Sequence, residues 1–184
     1  MKNLFFITLF TCCFINSVHS KSYSCSSQFQ KAVSTALDLT YEEYDQTPGQ
    51  GLRSFDINCQ YEGALVTIYY LSRKEKLTKS QRKNLSFHIG QALASSGHDK
   101  DSIEYFTNAK YIKNPSELLW NEYIDGTVAF LNKDLLTLEK NLYLLEDHKN
   151  THFGNELNLK VLKRLIVGLK KGQSYQDIDW ALEK

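Results

Sequence analysis

The chain is predicted to be all-α, on three observations. Apolar residues recur at steps of three and four along most of the chain beyond residue 25. Only two prolines interrupt it, Pro48 and Pro115. No segment alternates apolar and polar residues between turn residues as a strand would.

The elements follow in order. Phe29, Ala32, Val33, Ala36 and Leu37 predict a first helix over 26–45. Thr47 as N-cap with Pro48 in the first turn predicts a short helix over 48–57. Tyr61, Ala64, Leu65, Ile68 and Tyr69 predict a helix over 60–75. The basic run "RKEKLTKSQRK" at 73–83 reads as a solvated turn into the next helix, 79–96. Asp99 or Asp101 then caps a helix over 101–112. Trp120, Tyr123, Ile124, Thr127, Val128 and Leu131 mark 116–131, and Leu135, Leu138, Leu142 and Leu145 mark 134–147, capped by Asp134. Leu159, Leu162, Ile166 and Leu169 mark 156–171, and Ser174 opens a short ninth helix over 175–183. Asn58, Gly97, Asn132 and Gly172 stand where helices should stop, because Gly and Asn tolerate the left-handed conformation of a helix C-terminus. Sequential helices joined by turns this short are expected to pack as antiparallel pairs.

The first twenty residues read as a signal peptide. Lys2 precedes an apolar run over 4–15, and "SVHS" puts the small residues Val18 and Ser20 before a cleavage site after Ser20. Residues 21–184 are then one domain of roughly 160 residues, exported to a periplasm or secreted. No later segment has the length and apolarity of a membrane span. Processing removes Cys12 and Cys13 and leaves Cys25 and Cys59, an even count in an oxidising compartment, which predicts one disulfide. A net charge of +1 favours neither nucleic acid nor an anionic membrane.

Residues 83–115, "KNLSFHIGQALASSGHDKDSIEYFTNAKYIKNP", resemble one tetratricopeptide repeat. Gly90 stands where that pattern has a small residue for close helix approach. Gly97 stands at its turn, Ser102, Phe106 and Ala109 on its second helix, and Pro115 at its end. The flanking units are degenerate: Trp120 occupies the aromatic position of the next, and a truncated unit closes the chain around Gly172. The resemblance implies an α-solenoid of stacked helix pairs behind an N-terminal capping helix. It also implies a concave face lined by the first helix of each pair. In that register Asn84, His88, Gln91 and Ser95 line the groove. Asn121, Glu122 and Asp125 extend it on one side, and Gln50 and Arg53 on the other. Such a polar floor suits the backbone amides of a protein or peptide partner.

Catalytic signatures are not evident. The chain has no nucleophile elbow, HExxH, phosphate loop or paired-cysteine metal motif, so no enzyme activity and no cofactor are expected. His88, Asp125 and Ser95 can be drawn as a triad, and His148, His152 and Asp147 as zinc ligands, but "EDHKNTHFGN" reads as a polar loop. The expected function is a helical-repeat scaffold that binds a protein or peptide. The alternative is an immunity- or inhibitor-type protein that blocks one secreted partner, and a further alternative is a hydrolase.

Overall fold

The computed structural model describes residues 16–114 and 116–180, with side chains from Cys25 onward. The expected signal peptide therefore lies largely outside the described residues, as do Pro115 and the end of the expected ninth helix. Every element among the described residues is helical, and none is a strand. The α-helices are α1 (Asn16–Thr35), α2 (Gln60–Arg73), α3 (Lys79–Ser95), α4 (Asp99–Asn108), α5 (Trp120–Leu131), α6 (Leu135–Asp147) and α7 (Phe153–Lys170). Among the described residues no helix is long and apolar enough to cross a membrane.

Each of α2 to α7 packs on its neighbour in the chain, and α5 also meets α7. One apolar cluster joins α4 to α7 with Tyr175 and Ile178, and a second gathers the N-terminal segment against α2. Helix α3 lies between them. It sends Leu85 into the N-terminal cluster, packs Ile89, Ala92 and Leu93 with Ala64 of α2, and sends Phe87 and Ala94 into the C-terminal cluster. Asn84, His88, Gln91 and Ser95 share a further, partly exposed face of the helix.

The ends of α3 are strongly specified. Thr78 and Gln81 form a reciprocal capping box, each side chain accepting the other's backbone N–H, at 3.2 and 2.9 Å. At the other end Gly97 sits at φ +83°, with His98 N–H bonded to the Leu93 carbonyl at 2.9 Å. Only glycine takes this conformation without strain. Gly90 faces Phe106 of α4 so closely that a Cβ there would stand 3.0 Å from the ring. Phe106, Ser102 and Ala109 are all fully buried.

Four differences from the expected elements have identifiable causes. The first expected helix, 26–45, stops at Thr35. A 3-10 turn (Ala36–Asp38) and an extended Leu39 follow, then a single π turn (Glu42–Gln46). Thr40 and Glu43 form a second reciprocal cap, at 2.8 and 3.2 Å, which restarts the chain inside an unbroken apolar period. Second, 48–57 is not a helix: Gly49 and Gly51 take positive φ, and two 3-10 turns (Gly51–Ser54 and Ile57–Cys59) replace it. Thr47 instead closes the π turn by bonding the Glu42 carbonyl, and Asn58 lies within the second 3-10 turn.

Third, the chain between α4 and α5 is not helical up to residue 112 or from 116, because side-chain amides bind its backbone. Asn121 Oδ1 accepts from Tyr111 N–H at 2.9 Å, and Asn155 Oδ1 accepts from Leu119 N–H at 2.8 Å. Fourth, the expected ninth helix is a 3-10 turn (Tyr175–Asp177) followed by an extended Ile178. Smaller shifts accompany these. Lys133, at φ +60°, rather than Asn132 takes the left-handed position after α5. Helix α4 begins at Asp99, with neither Asp99 nor Asp101 as its N-cap. His152 caps α7, which begins at Phe153. Asp134 caps α6 as expected, accepting from Thr137 N–H, whereas at the C-terminal turn the Ser174 N–H and hydroxyl donate to the Asp177 carboxylate.

Cys25 and Cys59 are joined by a disulfide with a Cα separation of 5.3 Å, which ties α1 to the turn preceding α2.

Candidate functional site: a cleft beside a buried Asp–His pair

The π turn sets up the site. Its Tyr44 is fully buried and stacks on Tyr70 of α2, ring centroids 3.9 Å apart and nearly parallel. The Tyr44 hydroxyl lies 3.0 Å from Thr67 Oγ1. Thr67 already donates to the Gly63 carbonyl, so Tyr44 is the donor. Burial drives the Tyr44 hydroxyl far above the ordinary tyrosine range and pushes Tyr70 up to about 12. This anchor turns the next residue, Asp45, inward.

Asp45 is fully buried, with its carboxylate enclosed by donors. His88 Nδ1 lies 2.6 Å from Oδ1, the Tyr41 hydroxyl donates to Oδ2 at 3.0 Å, and Gln46 Nε2 donates to the same oxygen. Asn84 Nδ2 in turn donates to the Tyr41 hydroxyl at 3.2 Å. Burial would push the Asp45 carboxyl up. The hydrogen bond and charge of His88, with the Tyr41 hydroxyl and the Arg53 charge, outweigh it and hold the carboxyl below its ordinary value. An ionised carboxylate only accepts, so His88 carries its proton on Nδ1. The main-chain carbonyl of Asp45 accepts from Arg53 Nε at 2.7 Å. One buried aspartate thus orients two cationic-type side chains, one through its carboxylate and one through its backbone.

Those two side chains line a cleft of about 460 Å³, within the ~300–1,000 Å³ usual for binding pockets. Its polar lining is Arg53, Gln60, His88, Gln91 and Ser95. Its apolar lining comes from Leu52 and Phe55 on one side and Tyr123, Val161, Tyr175 and Trp180 on the other. The cleft therefore spans the N-terminal turns, α3, α5, α7 and the C-terminal segment. Burial raises the Tyr123 and Tyr175 hydroxyls well above their ordinary value.

The residues picked from sequence fall into three groups. Arg53, His88 and Gln91 come together in this cleft. Glu122 and Asp125 line a separate cleft of about 430 Å³ with Asp134, Lys140 and Asn141, and Asp125 is paired with Lys110 at 2.7 Å. The others are engaged elsewhere or exposed. Asn84 holds Tyr41, Asn121 holds the loop before α5, and Gln50 is exposed on the turn before Gly51.

The carboxylate partner of His88 is Asp45, not Asp125. Ser95 lies two helical turns along α3, about 10 Å away by helix rise, out of reach as a nucleophile for that ring. His148 and His152 each engage backbone through Nδ1, and no group of His, Cys, Asp or Glu among the described residues converges as a metal site.

Sequence reasoning missed Asp45, Phe55, Tyr123, Tyr175 and Trp180 as neighbours of His88. The signal available for Asp45 was the "TYEE" capping box at Thr40, which breaks the presumed first helix before this acid.

Searches with this chain find no matching family model, no similar curated protein and no similar solved structure.

Proposed function

We propose that this chain is an exported, tetratricopeptide-like helical-repeat module that binds a protein or peptide segment in the Arg53–His88–Gln91 cleft. The observation that carries the reading is the preorganisation of Arg53 and His88 by one buried aspartate, through its main-chain carbonyl and its carboxylate, beside a wall of aromatic side chains. Holding polar groups at fixed positions removes much of the ordering cost of binding. The aromatic wall supplies the apolar area on which affinity depends. The tight Gly90–Phe106 contact supports the repeat reading, and the disulfide suits an exported protein.

The test is selection of peptides from a displayed library on the oxidised protein, with a counter-screen on the Arg53→Gln/His88→Gln double variant. Peptides that lose about tenfold or more in affinity for the folded variant, roughly the loss of one hydrogen bond to a charged group, support the cleft. Peptides that bind both proteins equally would move the site elsewhere.

A second reading, an inhibitor-type protein that blocks one secreted partner, draws support from the exposed apolar side chains of α6 and α7. Leu136 and Tyr143 are 80% and 65% exposed, and Phe153 is 73% exposed. A broad partner face would use such residues. Loss of binding on Tyr143→Ser/Phe153→Ser, with the cleft variant unaffected, would select it.

A further inference from the structure

The exposed apolar side chains are not scattered. Among the described residues, six of the ten large ones lie on α6 and α7: Leu136, Tyr143 and Leu144 on the first, and Phe153, Leu157 and Val167 on the second. Monomeric surfaces carry such residues singly, and a concentration on one face marks an interaction site. Helix α7 is also the last α-helix among the described residues. Stacked helical units need a polar outer face where the stack ends, and this one carries Phe153, Leu157 and Val167, at 73%, 44% and 52% exposure.

The order of residues along α7 says what fits that face. Phe153, Leu157, Lys160, Arg164 and Val167 follow one another at steps of four and three, so they form one stripe. Lys160 is its midpoint. Phe153 stands seven residues before it and Val167 seven after it, and Glu156 stands four before and Arg164 four after. With two copies of α7 antiparallel about a two-fold axis at Lys160, Phe153 of each copy comes level with Val167 of the other. Glu156 of each comes level with Arg164 of the other. The stripe is thus complementary to its own reverse, apolar against apolar and acid against base.

Repulsion between the two copies is contained, because the other cations of α7 are paired within each chain. Lys160 binds Glu156, Lys163 binds Glu146 and Lys170 binds Glu139, each at 2.8 Å. The last two pairs tie α7 to α6, and Tyr143 lies between those two acids on α6, so it flanks the stripe and widens it. Arg164 uses one terminal nitrogen on the Trp180 carbonyl, at 3.2 Å, and a guanidinium has further donors to offer.

We infer that the chain forms a symmetric dimer through antiparallel α7 helices, with Lys160 on the axis, Phe153 packed on Val167 of the second copy and Glu156 paired with Arg164 of the second copy. Such an isologous contact closes at two copies. Val161, the α7 residue that lines the Arg53–His88 cleft, is not on the stripe, so pairing does not use the cleft. The inhibitor-type reading gives this face to a foreign partner; a second copy is the occupant that the spacing supports. One helix face with a flank is smaller than the ~800 Å² per partner of a standard interface, so the dimer is of the weak class, with half-association expected on the order of 100 µM.

The experiment is sedimentation velocity on the disulfide-intact protein from about 1 µM to about 1 mM. The native protein is expected to pass from monomer to dimer within that range. Glu156→Arg is expected to weaken the dimer by about tenfold or more, because it sets like charges against each other across the axis. Glu156→Arg/Arg164→Glu restores opposite charges there and again gives Lys160 an acid four residues away, so it should dimerise as the native protein does. Circular dichroism melts establish that each variant is folded. Cross-linking supplies the second readout. Lys160→Cys should form an intermolecular disulfide, whereas Lys171→Cys, about 16 Å from the axis along each helix, should not.

A protein that stays monomeric at the highest concentration overturns the inference and leaves the face to a foreign partner. A dimer that ignores both charge variants, or that cross-links through position 171 and not 160, overturns it by placing the contact elsewhere.

Discussion

Replacing Asp45 by Asn tests the centre of the site. The change keeps the shape of the side chain and removes its charge. In the native protein the carboxylate accepts from His88 at 2.6 Å, from Tyr41 at 3.0 Å and from Gln46. A hydrogen bond to a charged group contributes about 1.5–3 kcal/mol. The amide keeps an acceptor for one of these donors and turns its NH₂ toward another, so at least one bond becomes a donor–donor clash. The lower desolvation cost of a neutral group offsets part of that loss. The net expectation is a loss of about 2–4 kcal/mol at neutral pH, or roughly 4–16 °C in Tm for a domain of this size.

The pH dependence has a definite sign. The Asp45 carboxyl is held below its ordinary value in the folded state, by His88, Tyr41 and Arg53 against the opposing effect of burial. A group depressed on folding stabilises above its unfolded pKa, and that stability is lost as pH falls through the folded pKa. The gap between native and D45N proteins should therefore be full at about pH 7. It should begin to close below about pH 4, the unfolded range of an aspartate. Urea melts followed by circular dichroism across this range, with the disulfide intact, measure it. A gap that stays constant from neutral to strongly acid pH would refute the ionised-carboxylate account and leave only a packing effect.

Other outcomes follow from single features. The chain made in an oxidising compartment, analysed by mass spectrometry without reduction, should contain the Cys25–Cys59 bridge, and its reduction should cost about 3–4 kcal/mol for a loop of this length; two free thiols would contradict it. Gly97→Ala should cost about 1 kcal/mol or more, since φ is +83° and the new Cβ would meet Gln176 Oε1 at 2.8 Å; an unchanged melt would contradict the left-handed turn. Asn155→Ala should cost about 2–4 kcal/mol by stranding Leu119 N–H and the Glu117 carbonyl. Faster hydrogen exchange at Leu119 should accompany that loss.

Helices α2, α3 and α6 are legible in the sequence to within two residues, because apolar period and end signals agree there. Gly97 and the cysteine pair are legible too, each through a stereochemical or compartmental constraint independent of the surrounding pattern. The segment from Thr35 to Cys59 is not. Leu37, Tyr41 and Tyr44 keep the helical period across a break made by hydrogen bonds at Thr40, and periodicity does not register such bonds. The site shares that difficulty. His88 and Gln91 are identifiable as an open stripe on α3. Their partner Asp45, however, lies 43 residues away and meets His88 through a π turn held by tyrosine stacking. Asn121 and Asp125 share a helix face as their spacing implies, yet the loop backbone takes up the first and Lys110 the second. Helix phase places a residue on a face and does not say which neighbour reaches it first.

The bridge between Cys25 and Cys59 has a consequence for when the cleft can exist. Tyr41, Asp45, Leu52, Arg53 and Phe55 all lie within the covalent ring that it closes. That ring contains few α-helical hydrogen bonds after Thr35, so its own backbone does little to hold it in shape. Without the bridge, this strap is held to α2 and α3 by the Tyr44–Tyr70 stack and the Asp45–His88 bond rather than by a helical ladder of its own. Oxidation tightens the strap. On the binding reading proposed above, competence would rise with disulfide formation, after synthesis, and a reducing environment would lower the share of chains with a formed cleft.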